Sequence, residues 1–317
     1  MTTTHEIEPR NSGRDGNGRD GGDRNRDGVP DVLVSSMSGR RKWKNRMATV
    51  WLYTAVIVAL IPLGAVMFYV VQKGSAVFGF DFIVTDIPVS RRDLGPGMGP
   101  AVLGTLLITG MASLMAIPLG VMGAVYLNEY GGKGRFAKLV RFMSQVMSGV
   151  PSIVMGLFIY TVWVLTFGQS GFAGALALGC LMLPIVIRST EEMLKLVPND
   201  LRQASYALGN RKWRTILTVV LPAAIGGITS GCMLAVARAA GETAPLLFTI
   251  GIVFKANPNL FDGPNTALSA QIFRNASVPF QGPQDRAWAA ALTLILIVMI
   301  LTVAARWVSS RFAMKHS

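Results

Sequence analysis

The chain has 317 residues, 51% of them hydrophobic and only 15% charged, with a mean hydropathy of +0.45. A soluble domain carries about 25% charged residues, so this composition excludes an ordinary water-soluble protein and fits a bilayer. The formal net charge is nevertheless +13, from 30 Lys and Arg against 17 Asp and Glu, which reads either as attraction to nucleic acid or as membrane topology.

Residues 1–46 are rich in Gly, Asp, Arg and Asn and read as a disordered cytoplasmic tail with nothing to bury. Asp23, Asn25, Asp27, Gly28 and Asp31 follow the opening of a calcium loop, but Val34 stands where a bidentate Glu is needed, so a solvated charged tail is the better reading. An apolar region that begins behind 46 polar residues does not fit a cleavable secretory signal.

Uncharged runs then mark out the membrane spans. Between Arg46 and Lys73 lie 26 uncharged residues, enough for one helix across the bilayer. The run from Asp93 to Glu129 holds 35 more, and after a Gly/Pro-rich lead-in at Gly95–Pro100 it leaves room for a second span. From Arg141 to Arg188 there are 46, which as one helix would be roughly 69 Å long against a hydrocarbon core of about 30 Å. This run therefore turns once, at Gly168, Gln169, Ser170 and Gly171, and gives spans three and four as a tight hairpin. A fifth apolar segment runs from Ala223 to Phe254, interrupted by Arg238 and Glu242, and a sixth from Ala287 to Ala305. The expected fold is all-α and polytopic, with six transmembrane helices.

Counting Lys and Arg in alternate connections gives 23 on the side of both termini, 6 on the other, and Arg238 within a span. By the positive-inside rule both termini are cytoplasmic, in a multi-pass protein of the cell membrane. The charge is thus mainly a topology signal. The tail's 10 bases are interleaved with acids and offer no concentrated surface to nucleic acid.

The scarce residues limit the chemistry. His5 and His316 lie beside the ends of the chain, which excludes a His-centred triad or metal cage inside the fold. Cys180 and Cys232 sit in apolar runs and read as packed thiols, with a disulfide or metal pair as the alternative. Gly131, Gly132, Lys133 and Gly134 do not fit a phosphate-binding P-loop, so no ATP site is expected and energy must come from a partner.

The longest cytoplasmic connection, residues 188–222, carries structure of its own. Thr190, Glu191 and Glu192 open a helical stretch to Leu196, Pro198, Asn199 and Asp200 supply a break and an N-cap, and Gly209 ends a second short helix. Ala204, Ala207 and Leu208 share one face of that helix, with Tyr206 beside them. Its apolar face either docks into a partner or lies flat on the bilayer, as Arg211, Lys212, Trp213 and Arg214 would favour.

Arg238 and Glu242 are the two charges of the fifth span, four residues apart and able to pair on one helix face. Each alone at the bilayer centre would cost about 2.5 to 3.5 kcal/mol, and pairing offsets part of that. One reading is a self-neutralised structural pair. The other is an anion site, in which the guanidinium fork suits a tetrahedral oxyanion and Glu242 competes with the bound anion and prevents a sink. Thr243 and Ser230 would add hydroxyl donors, and Gly241 and Pro245 would loosen the backbone. Arg188 reads either as an exit-side anion contact or as a snorkelling interface residue. Gly227 and Gly231 form a G-x-x-x-G step for close helix packing.

Gln203, Ala204 and Ser205, followed by Gly209 and then Val219, Leu221 and Pro222, resemble the E-A-A, three residues, G, nine residues, I-x-L-P signature of ABC importer permeases. The spacing matches throughout. Gln203, Ser205 and Val219 depart in identity, and the loss of the Glu charge removes a possible salt bridge at that position. The phosphate-importer branch of that family is resembled by Ala124–Tyr130, by Gly149–Val154, by Leu183 and Pro184 leading to Arg188–Glu192, and most specifically by Ala237–Leu247.

The resemblance covers about residues 47–310, the expected permease domain, with 188–222 as its coupling loop and 311–317 as a cytoplasmic tail. It implies a type I importer fold in which Gln203, Ala204, Ser205, Tyr206, Ala207, Leu208 and Gly209 form the coupling helix docked on a cytoplasmic ATPase. It further implies a homologous second permease subunit, two ATP-binding subunits and an extracytoplasmic phosphate-binding protein as partners, with no cofactor and no enzymatic activity in this chain. The alternatives are a permease for sulfate, molybdate or another oxyanion, and a secondary transporter in which Glu242 carries a coupling proton.

Overall fold

In the computed structural model, residues 39–90, 95–132 and 134–312 are described, and every long element among them is helical. The calcium-like residues 23–31, both histidines and the last five residues lie outside the described residues. The chain divides into two units, residues 1–63 and 64–317. The first contributes the opening part of α1 (Gly39–Gly74), where the Thr49 and Thr54 hydroxyls donate back to the Asn45 and Val50 carbonyls. This back-bonding satisfies both hydroxyls without leaving the helix.

The second unit holds the remaining spans. α2 (Gly99–Tyr130) follows the Gly/Pro lead-in and closes in a wide π turn over Tyr126–Tyr130. Taken together, α3 (Arg135–Gly149) and α4 (Ser152–Phe167) are long and apolar enough for one span, but they meet at a bend of 105°. The sequence predicts a straight third span here, and the break has a local cause. Pro151 has no N–H to continue the ladder and forces Val150 into extended backbone, φ −73° and ψ 129°. Among the described residues, five helices are long and apolar enough to cross a membrane, or six if the bent pair is counted as one span.

The turn expected at residues 168–171 is present. Gly168 takes φ +84°, a conformation costly for any residue with a Cβ, and the Ser170 side chain accepts from Ala173 N at 3.2 Å to start α5 (Gly171–Leu196). Residues 188–196 are the continuation of α5, not a separate stretch, because nothing before Pro198 interrupts its hydrogen bonds. α6 (Asn199–Ala207) follows at once. Neither Asn199 nor Asp200 caps it, since the N-cap position is Pro198, with no side-chain bond.

α7 (Lys212–Gly241) corrects the fifth span at both ends. It starts before Ala223, with a wide turn over Ile216–Val220 that lets Pro222 enter the helix without a break. It stops at Gly241, because the Pro245 ring would clash with the Gly241 carbonyl of a continued helix. The apolar stretch beyond is the short helix α8 (Leu246–Thr249) and loop. α9 (Leu268–Ala276) lies in the connection to α10 (Gln281–Phe312), which is longer at both ends than the expected sixth span.

The core of this unit lies between α2, α5 and α7. Ile108, Ala112, Ala116 and Ala124 on α2 meet Ala175, Leu178, Met182 and Val186 on α5 and Ala224, Ile228, Ala235 and Ala239 on α7, all buried. Small residues permit this closeness. A Cβ at Gly120 would lie 2.6 Å from Val186, while Gly227 and Gly231 face Met193 and Ser189 of α5. Cys180 and Cys232 are both free thiols, the second buried in this core.

Candidate functional site: a charged cavity beside a broken helix

The end of α7 determines the geometry of the two charges. Arg238 lies in its last turn, where a cation is favoured by the helix dipole, and Glu242 stands one residue past the end on extended backbone, ψ 131°. The pair is therefore at a helix terminus and not midway along a span. The Arg238 Nε and Glu242 Oε1 atoms are 3.6 Å apart, an ion pair too long for a good hydrogen bond. The Arg238 side chain is 70% exposed and that of Glu242 only 19%. Ser269 Oγ donates to the Glu242 carbonyl at 2.9 Å, which ties the extended residue to α9.

Both charges line a cavity of about 240 Å³ whose other walls are the α3–α4 bend and α5, including Ser148, Ser152, Leu181 and Ile185. The proline break opens this space and places two serines opposite the guanidinium. A guanidinium and two hydroxyls offer donors to an anion, and the carboxylate holds the empty cavity near neutrality. Thr243 is one residue further on, half-buried in the turn, where its carbonyl accepts from Leu246 N at 3.1 Å and its side chain is not on the cavity wall. Ser230 donates to the Gly226 carbonyl two turns before Arg238 and is also outside the cavity. Gly241 has open space around it, whereas Pro245 is buried with its Cα 2.6 Å from where a Cβ on Gly156 would stand.

Arg188 is not in the Arg238 cavity. It lines a neighbouring one of about 260 Å³ with Arg141, Ser144, Gln145, Glu191 and Lys195, and pairs with Glu192 at 3.3 Å in solvent-exposed geometry. The two cavities follow one another along the same groove between α3 and α5, since Ser144 and Arg188 border one and Ser148 and Ile185 the other. Arg141 bonds Glu191 Oε1 at 2.8 Å and the Leu127 carbonyl at 2.8 Å, and Lys195 reaches the same Glu191 oxygen at 2.9 Å.

α6 includes residues 203–207 of the segment expected to dock on an ATPase. Gln203, Ala204, Tyr206, Ala207 and Leu208 are exposed, Leu208 by 83%. Gly209, at φ +79°, reverses the chain, donating to the Tyr206 carbonyl at 2.9 Å while Asn210 N reaches the Ser205 carbonyl. Ser205, one of the departures from the signature, has a use. Its buried hydroxyl shares a 2.9 Å hydrogen bond with Thr215 of α7.

Sequence reasoning missed what anchors α6. Arg202 donates to Glu129 Oε1 at 2.9 Å and to the Leu194 and Val197 carbonyls, so one buried guanidinium joins α6 to the ends of α2 and α5. Ser148 and Ser152 were also missed, although both flank the proline whose break brings them together. A charge at the edge of each uncharged run was the available signal for Glu129, but it names no partner.

The model of the family described as binding-protein-dependent transport system inner membrane component matches residues 116–314. Phosphate transport system permease protein PstA 1 of Mycobacterium tuberculosis (strain CDC 1551 / Oshkosh) is 43% identical over 290 residues, 89% of this chain and 95% of that protein. Phosphate transport system permease protein PstA of Yersinia pestis is 40% identical over 281 residues, 87% of this chain and 94% of that protein. Among solved structures, a chain of a bacterial alginate ABC transporter superposes with a TM-score of 0.62 at 17% identity, over 87% of this chain and 96% of that one. A chain of the inward-facing MetNI methionine ABC transporter gives 0.57 at 16% identity, over 67% and 94%. At such identities the two structures speak for the fold alone.

Proposed function

The chain belongs to the family of binding-protein-dependent transport system inner membrane components, and we propose that it is the permease subunit of an ABC importer that carries inorganic phosphate into the cell. The observation that carries this reading is the 43% identity, over 89% of this chain and 95% of the relative, to a protein named as a phosphate transport permease. It is a multi-pass protein of the inner membrane and a transport subunit. Both termini face the cytoplasm, in keeping with 23 bases on that side against 6 on the other.

The partners are a homologous permease subunit, two ATP-binding subunits and an extracytoplasmic phosphate-binding protein. This chain takes no cofactor and performs no covalent chemistry. Closure of the ATP-binding subunits displaces α6, with Gln203, Ala204, Tyr206, Ala207 and Leu208 on the docking face, and Arg202 and Ser205 pass that displacement to α2, α5 and α7. The end of α7 carries Arg238, so the cavity it shares with Glu242, Ser148 and Ser152 changes with the stroke. Arg238 holds the anion, Glu242 competes for the guanidinium and releases it, and Arg188 in the adjoining cavity receives it on the cytoplasmic side. Thr243 shapes the turn that positions Glu242.

The test is uptake of labelled phosphate by the complete transporter in proteoliposomes containing ATP. Phosphate uptake that sulfate and molybdate do not compete away supports the reading. Competition by either assigns the importer to a different oxyanion, and uptake driven by a proton gradient without the ATP-binding subunits replaces it with a secondary transporter.

A further inference from the structure

Little apolar packing holds α3 against its neighbours. Among the described residues of this helix, 15 in all, only Ala137 is buried, against Leu127 of α2 and Ile187 of α5. Phe136, Leu139, Phe142, Met143 and Val146 are exposed. Yet α3 forms one wall of the groove: Ser144 and Gln145 border the cavity at Arg188, and Ser148, one turn on, borders the cavity at Arg238. Arg141, Ser144, Gln145 and Ser148 follow the i, i+3, i+4, i+7 spacing of a single helix face.

Arg141 fixes that face, because its three side-chain nitrogens reach three different segments. Nε donates to Glu191 Oε1 of α5 at 2.8 Å, Nη2 to the Leu127 carbonyl of α2 at 2.8 Å, and Nη1 to the Gly132 carbonyl between α2 and α3 at 3.2 Å. The wide turn that closes α2 makes the Leu127 carbonyl available. Gly131 N, which would bond that carbonyl in a regular helix, donates instead to Tyr126. Glu191 gives a firm anchor on α5, since its side chain is 9% exposed and Lys195 holds the same oxygen at 2.9 Å. A planar guanidinium bonded on three sides fixes orientation as well as distance.

We propose that Arg141 is a positioning residue of the transport pathway. Its clamp on α2, α5 and the loop between α2 and α3 sets the width of the groove, and thereby the place of Ser148 opposite Arg238. Ser148 lies two turns beyond Arg141, roughly 10 Å along one helix, so a tilt of the lightly packed α3 is carried to the serine. The consequence for transport rests on the anion role given to the Arg238 cavity in the previous subsection.

The test uses the complete transporter in proteoliposomes with its loaded binding protein outside and ATP inside, recording phosphate taken up and ATP hydrolysed together. Arg141→Gln should hydrolyse ATP near the wild-type rate and take up roughly tenfold less phosphate per ATP, as expected when a hydrogen bond to a charged ligand is lost. Glu191→Gln should act in the same direction, and the double variant should be no worse than the worse single, since both open one clamp. Arg141→Lys keeps the charge but not the fork, and should fall between wild type and Arg141→Gln.

A second readout needs no transport. Ser148→Cys, in a chain also carrying Cys180→Ser and Cys232→Ala, is labelled with a water-soluble thiol reagent, and adding Arg141→Gln should shift the labelling rate severalfold. Unchanged labelling overturns the clamp, and with reduced uptake it assigns Arg141 to direct contact with the anion. Additive effects of the two single variants, or a proportional fall in uptake and hydrolysis, also overturn it. If Arg141→Gln does not assemble, Arg141→Lys decides, and wild-type uptake per ATP in that variant overturns the clamp. Wild-type uptake is measured first with phosphate, sulfate and molybdate. Transport of another oxyanion, or transport without ATP, defeats the reading of the previous subsection, while the labelling rates still judge the clamp.

Discussion

Arg202 and Glu129, 73 positions apart, form a 2.9 Å ion pair in which the side chains are only 12% and 6% exposed. Through it the exposed helix α6 is fastened to the end of α2, and through the Leu194 and Val197 carbonyls to the end of α5. A buried pair of this kind transmits position more than it adds stability, because desolvation consumes most of the attraction.

Arg202→Ala should therefore separate ATP use from transport or prevent assembly. Removing one partner of a buried pair costs about 3–5 kcal/mol. Copurification of the subunits together with uptake per ATP distinguishes the outcomes. Arg202→Lys keeps the charge but not the fork of donors, and should recover assembly better than coupling. Normal coupling in both variants would show that α6 moves α2 without this pair.

Arg238→Ala should abolish uptake while the complex still assembles, since the Arg238 side chain is largely exposed and its loss opens no core cavity. Glu242→Gln should leave the cavity positive when empty, retain the anion and slow its release, which single-turnover release of labelled phosphate would detect. Wild-type uptake by the Arg238 variant would remove the proposed anion role.

Ser205→Ala leaves the Thr215 hydroxyl without its bonded partner in a buried position. The expected cost is about 1–3 kcal/mol, seen as a lower melting temperature of the purified complex. Adding Thr215→Val should recover part of the loss, because both ends of the bond are then apolar. A double variant worse than the sum of the singles would argue against the bond as the source.

Gly156→Ala should act on the turn after Glu242. The new Cβ would stand 2.6 Å from the Pro245 Cα, a backbone atom that cannot swing aside. Overpacking of this kind costs typically about 1–3 kcal/mol, and the 242–245 turn is the part free to yield. Uptake should fall with assembly retained, whereas Gly110→Ala, facing open space, should be silent in the same assay.

The spans were legible where charge bounded them. Arg46 and Lys73 enclose the first, and the Gly168–Gly171 turn was readable because it is the polar, Gly-rich tetrad of its run. Pro151 sits in the same run, but hydropathy is blind to direction, so a 105° bend between apolar helices left no trace in it. The end of α7 was hidden for a similar reason. Apolar residues continue to Phe254, and only the backbone demand of Pro245 separates helix from turn. Short-range signals told more about α6: Pro198 and Gly209 bound it, and its exposed apolar residues follow helical spacing. Arg238 and Glu242 were legible as charges in an apolar region, while Ser148 and Ser152 opposite them required the bend to be known. Arg202 and Glu129 meet only through the tertiary fold, so neither could be assigned its partner.

The short extended step after Gly241 gives the Arg238–Glu242 pair two separate moorings. Arg238 rides on α7, but Glu242 is held through its carbonyl by Ser269 on α9. Any slide of α7 relative to α9 therefore changes the 3.6 Å separation without a side chain having to turn over. The attraction between unit charges scales with the inverse of their distance, so under the proposed function, in which Arg238 holds the anion, a longer gap would strengthen the cavity as an anion trap and a shorter one would empty it. On that proposal, affinity would become a function of helix displacement, read out by a single ion pair like a ruler.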